Sequence, residues 1–97
     1  MEFDDLKNSL KQEDPPNGIC VYLQALWFDG KGNWQKAHSL VDDLNGTDAA
    51  AVHAYLHRKE GDIFNAGYWY SRARRPKSTV SLKEEWEELV REFLEKT

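Results

Sequence analysis

The chain has 97 residues, 40% of them hydrophobic and 31% charged, with a formal net charge of −4 and one cysteine. That length suits one domain with one core and excludes a second, and the negative balance argues against nucleic-acid binding, whose affinity comes from a positive surface that releases counterions. Cys20 alone excludes an internal disulfide, suits a reducing compartment and reads as a small core residue.

Periodicity and punctuation predict six helices and no strand. The first covers about Glu2 to Lys11, with Phe3, Leu6 and Leu10 on one side. Its "MEFDDLKNSL" is acidic and amphipathic where a signal peptide is basic and then apolar, and no apolar run reaches the length of a membrane span. The expected location is therefore the cytoplasm, without membrane contact. Asp14 is expected to cap the second helix, with Pro15 in its first position, and the run to Phe28 is apolar on most sides, as suits a central helix.

"DGKGN" breaks that helix, and Asn33 caps a third in which Trp34, Ala37, Val41 and Leu44 recur at helical spacing until "NGT". Thr47 or Asp48 caps the fourth, rich in alanine around Val52, Tyr55 and Leu56, and "KEGD" closes it. Asp62 caps the fifth, whose seam is Ile63, Ala66, Gly67, Tyr70 and Ala73; arginines fill its last turn, where positive charge complements the helix dipole, and Pro76 ends it. Ser81 and Glu84 form a capping box for the sixth, with Leu82, Trp86, Leu89, Val90 and Phe93 as one apolar stripe on a glutamate-rich helix. This stripe is expected to lie as a lid over Phe64, Tyr68 and Trp69.

A shift of 29 residues superposes "ALWFDGKGNWQKAHSLVDDL" on "AYLHRKEGDIFNAGYWYSRA", so that Ala25 meets Ala54, Gly32 meets Gly61, Asn33 meets Asp62 and Ala37 meets Ala66. Each copy is a helix, a Gly-Asn or Gly-Asp turn and a second helix with a small residue four places after the turn residue. Such a unit cannot bury its apolar faces alone, and stacking copies solves the problem. The pattern resembles the tetratricopeptide repeat, most closely at Ala54, Gly61, Asp62, Ala66, Tyr70 and Ala73, over about Ile19 to Pro76. The second copy is also similar to a segment of small helical proteins from bacteria and fungi, a likeness that brings no activity with it. The expected fold is all-α, an α-α superhelix: an N-terminal helix (1–14), a first hairpin (15–46), a second hairpin (47–76) and a capping helix (77–97), forming a single domain over 1–97.

The resemblance implies a protein-interaction module that takes a peptide or protein partner, or a second copy of the chain. Tyr22, Asp29, Tyr55, Arg58 and Lys59 fall where such repeats face their inner groove, and they are the expected partner-binding residues. A competing reading is a small-molecule or metal site. His53 and His57 are one turn apart, and His38, on the helix expected to pack against theirs, would complete three nitrogens. Asn65, Trp69 and Arg72, at i, i+4 and i+7 beside Tyr68, would supply an amide, a ring and a guanidinium. The plainer expectation is core histidines hydrogen-bonded to Tyr70, Asn65 or a backbone carbonyl. No cofactor or metal is assigned on this reading. No nucleophile stands at motif spacing from a base and no glycine loop suits a phosphate, so catalysis is not expected.

Overall fold

Six α-helices, and no strand, make up residues 1–96, which the computed structural model describes: α1 (Phe3–Ser9), α2 (Val21–Gly30), α3 (Trp34–Val41), α4 (Thr47–Lys59), α5 (Ile63–Arg72) and α6 (Leu82–Glu95). The expected capping segment 77–97 ends on Thr97, which lies outside the described residues. None of these helices is long and apolar enough to cross a membrane.

Three helix starts follow from local chemistry. Backbone N–H groups of Lys36, Asn65 and Glu84 donate to the side chains of Asn33, Asp62 and Ser81, satisfying donors that the first turn leaves orphaned. The turn glycines Gly32 and Gly61 stand at φ +85° and +88°, the left-handed region where a side chain is strained. They occupy equivalent places in the two copies of the repeat. Two starts differ from expectation. Gly46, not Thr47 or Asp48, is the N-cap of α4. The second helix begins at Val21 after Cys20, not at Pro15. Pro16 disfavours helical dihedrals at the residue before it, so Pro15 cannot open a helix there, and Gly18 at φ +82° turns the chain again before α2.

Helix α2 packs along α3 and α4 along α5, while α3, α2 and α4 join the two pairs. The core is centred on α2 and α4. Leu23, Ala25, Leu26, Trp27 and Asp29 are buried on the first and every residue from Ala49 to Leu56 on the second. Helix α1 is tied in by the Trp27 indole, which donates to the buried Ser9 hydroxyl at 3.0 Å.

The last helix does not continue the stack. It lies across α2, α4 and α1. Trp86 donates to the Leu26 carbonyl at 2.8 Å and meets Phe3 edge to face, and Phe93 lies 5.3 Å from the Tyr22 ring. Gly30 has no side chain because the Leu10 methyls and the Trp86 ring come within 3.2 Å of where a Cβ would stand. Trp86, Leu89, Val90 and Phe93 are buried, which favours this placement by roughly 6–12 kcal/mol at 1.5–3 kcal/mol for each side chain. The lid expected over Phe64, Tyr68 and Trp69 is thus elsewhere. Phe64 is 88% exposed and Tyr68 51%.

Candidate functional site

Helix α6 covers part of the face of α2 and α4 that would be an inner groove, and the five residues expected to grip a partner each have contacts within the chain, although Asp29, Tyr55 and Lys59 still line an open depression with Leu10, Gly30, Leu82, Lys83 and Trp86. The Tyr55 hydroxyl donates to Asp29 at 2.7 Å and the Lys59 ammonium donates to the other oxygen of the same carboxylate at 2.9 Å. Tyr55 and Asp29 are buried. Burial, then the bond to Asp29, push the Tyr55 phenol far above the ordinary tyrosine range. Arg58 donates to the buried Glu85 carboxylate of α6 at 2.8 Å and to the Val80 carbonyl, and the Tyr70 hydroxyl donates to the second Glu85 oxygen at 2.6 Å. The Tyr22 ring lies tilted against that of Phe93. Arg58 and the Lys59 ammonium are thus committed to carboxylates, because a buried one on α2 and another on α6 each need a counter-charge, while the Lys59 side chain stays 38% exposed.

The outer face of α5 is open instead. Ile63, Phe64 and Tyr68 are exposed there and line one depression with Gly67 and Lys77, whose stem lies against the Gly67 backbone. The expected amide, ring and guanidinium do not converge on a ligand. Asn65 donates its side-chain amide to its own cap, Asp62, at 2.6 Å. Arg72 folds back over the Tyr68 and Trp69 rings and donates to the Tyr68 hydroxyl.

The three histidines do meet. One ring nitrogen from each of His38, His53 and His57 lies within 4.8 Å of the other two, and the ring centroids stand 5.1, 5.3 and 6.0 Å apart. His53 and His57 come from successive turns of α4, and His38 reaches them from α3, with Trp34 stacked on His38 at 5.0 Å and Trp69 on His53 at 4.1 Å. His53 is buried; His38 and His57 keep 24% and 13% of their side-chain surface. A carbonyl and a carboxylate fix two tautomers, since each can only accept: His53 Nε2–H donates to the Val41 carbonyl at 3.0 Å, and His57 Nδ1–H to Glu60 at 2.7 Å. His53 Nδ1 is then a buried lone pair without a hydrogen-bond partner.

Burial lowers the His53 pKa, partly opposed by the Val41 carbonyl, and the neighbouring His38 and His57 lower it further against the pull of Asp42. The ring is held neutral, the form that ligates. Of the expected partners, a backbone carbonyl serves His53, and neither Tyr70 nor Asn65 serves these rings. Sequence reasoning missed Trp34, Val41 and Glu60 as their surroundings, although Glu60 stands three residues after His57 on the same side of the chain and Trp34 four before His38. It also missed Glu85, hidden in a run of acidic residues.

Comparisons of the chain with protein-family models, with curated proteins and with solved structures give no match.

Proposed function

We propose that the chain is a tetratricopeptide-like interaction module that binds a helix of a protein partner on the outer face of α5. The observation that carries this reading is the exposure of Ile63 and Phe64, 59% and 88%, together with Tyr68 on one side of the last repeat helix. A contiguous aromatic and aliphatic patch of this kind marks an interaction surface more often than a scattered set does.

Repeat register supports the choice of a helix as the occupant. In the first pair, Trp34 and His38 lie where Ile63 and Gly67 lie in the second. Trp34 holds α4 there, donating to the Leu56 carbonyl at 2.8 Å, and His38 packs on His53 and His57. The equivalent face of α5 has no following helix, since α6 crosses to α2 and α4. A partner helix would take the place of the missing third pair, and the roofed α2 and α4 face would not take part.

The test compares wild type with Ile63→Ser/Phe64→Ser, both on exposed positions. Sedimentation velocity over a concentration series reads self-association, and affinity capture followed by titration of the recovered partner reads hetero-association. The double variant is expected to keep the wild-type melting temperature within a few degrees and to weaken partner binding at least tenfold. Full binding by this variant, or none by either protein, refutes the reading.

A further inference from the structure

We propose that His38, His53 and His57 form a mononuclear site for a transition-metal dication of the zinc class. Zinc–nitrogen bonds of about 2.0–2.1 Å at tetrahedral angles put ligating nitrogens roughly 3.3–3.4 Å apart and imidazole centroids about 5 Å apart. Two of the three centroid separations, 5.1 and 5.3 Å, already have that value, and the third is 6.0 Å. The nitrogens, within 4.8 Å of one another, need to draw in by no more than about 1.5 Å to close on an ion.

Polar groups behind the rings are those a metal site needs. A ligating histidine nearly always gives its other N–H to a carbonyl or carboxylate, which fixes the tautomer and raises the basicity of the free nitrogen. His53 does so to Val41 and His57 to Glu60, while Asp42 stands 3.9 Å from His38 Nε2. A core histidine kept for packing would have both nitrogens satisfied. His53 Nδ1 does not, although an unmet buried acceptor is destabilising. A cation supplies the missing partner.

Donor chemistry narrows the ion. Three imidazole nitrogens without a thiolate suit zinc, cobalt, nickel or copper and disfavour magnesium and calcium, which take oxygen. The carboxylates of Asp42, Glu60 and Asp62 add negative charge around the rings without belonging to the triad; Glu60 and Asp62 also gather at His57. Three protein ligands leave a fourth position for water or an exogenous anion, and the partial exposure of His38 and His57 gives a path to it. An ion here would also fasten α3 to α4, and so one repeat pair to the other.

The test uses the full chain, stripped with a chelator and dialysed, with the metals themselves as probes. Isothermal titration with Zn(II) is expected to give one ion per chain and a raised melting temperature. Co(II) should develop the visible absorption of a four-coordinate nitrogen site, and Cu(II) should quench the fluorescence of Trp34 and Trp69. Mg(II) and Ca(II) should give no heat. His38→Ala and His57→Ala, both at partly exposed positions, are expected to weaken Zn(II) at least 100-fold while keeping the helical circular dichroism, and Glu60→Gln to weaken it by 10–100-fold. These two alanine variants keep the test decisive if changes at buried His53 prevent folding. Absence of saturable Zn(II) binding, or binding that His38→Ala and His57→Ala leave intact, overturns the proposal. The result is independent of partner binding on α5, since none of the ligands lies on that helix.

Discussion

Arg58→Ala separates a roofed α2 and α4 face from an open one. In the fold, Glu85 is 5% exposed and its carboxylate takes one hydrogen bond from Arg58 at 2.8 Å and one from Tyr70 at 2.6 Å. Removing the guanidinium leaves a buried carboxylate facing one neutral hydroxyl and frees the Val80 carbonyl. Breaking a buried ion pair from one side costs about 3–5 kcal/mol, and Arg58 keeps 21% of its side chain in water, so screening reduces the expected loss to about 2–3 kcal/mol. At about 4–8 °C per kcal/mol for a chain of this size, the melting temperature should fall by roughly 10–20 °C. Urea unfolding followed at 222 nm gives the free energy directly. Arg58→Met/Tyr70→Phe/Glu85→Leu removes both charges together with the hydroxyl that Glu85 accepts from, and should recover most of the loss, because the penalty is that of buried polar groups left alone. If Arg58→Ala changes stability by under about 0.5 kcal/mol, as an arginine on a solvated groove would, the roofed arrangement is refuted.

Three further outcomes follow from the same fold. His53 has a lowered pKa in the fold, so the unfolded chain takes up a proton there first as pH falls below about 6.5; stability is full above that value and declines through the window beneath it, by at most about 1.4 kcal/mol per pH unit. Urea midpoints between pH 7.5 and 5.5 check the sign, and a flat or rising profile toward acid excludes it. Asp62→Ala removes the side chain that accepts from the Asn65 N–H and should cost about 1 kcal/mol in thermal melts. Gly32→Ala and Gly61→Ala should each cost about 1–2 kcal/mol for forcing a side chain into a left-handed turn, and the two losses should add in the double variant.

What the sequence discloses here is chiefly local. Asn33, Asp62 and Ser81 announce their helices because a cap is decided within three residues, and the glycines of the two turns do the same through φ. The start of α2 is also local, but two competing local rules meet at Pro15, and the effect of Pro16 on the residue before it wins. Placement of α6 is not local. Its stripe of Trp86, Leu89, Val90 and Phe93 says that one face is buried without saying against what, and both the α5 aromatics and the α2 and α4 face are apolar enough to receive it. The choice is made by complementarity across the chain: Glu85 finds Arg58 and Tyr70, and the Trp86 indole finds the Leu26 carbonyl 60 residues away. The histidines were legible as a spacing on α4 and as a helix-to-helix expectation for His38. A backbone carbonyl was among the expected partners of the rings and His53 has one, but that it is the carbonyl of Val41 carries no signature in the sequence.

A shift of 29 residues sets Trp34 and His38 on Ile63 and Gly67, and the two helix pairs differ in what they place at these positions. In the first, Trp34 and His38 meet α4, where His53 and His57 stand in place of Gln24 and Phe28; only at this one seam do imidazoles from two helices face each other. In the second, Ile63 and Gly67 take these positions and no helix covers them, only the Lys77 stem lying against Gly67, because Glu85 and the Trp86 stripe hold α6 on the opposite side. Placing the first pair's chemistry at the second pair's position tests this account of the difference. Gly67→His is expected to leave zinc stoichiometry at one, since the open face has no facing pair of histidines, and to disturb partner binding on α5. A second zinc equivalent in that variant would show that single histidines on this surface suffice, and would remove the convergence at the α3 and α4 seam as the reason for binding.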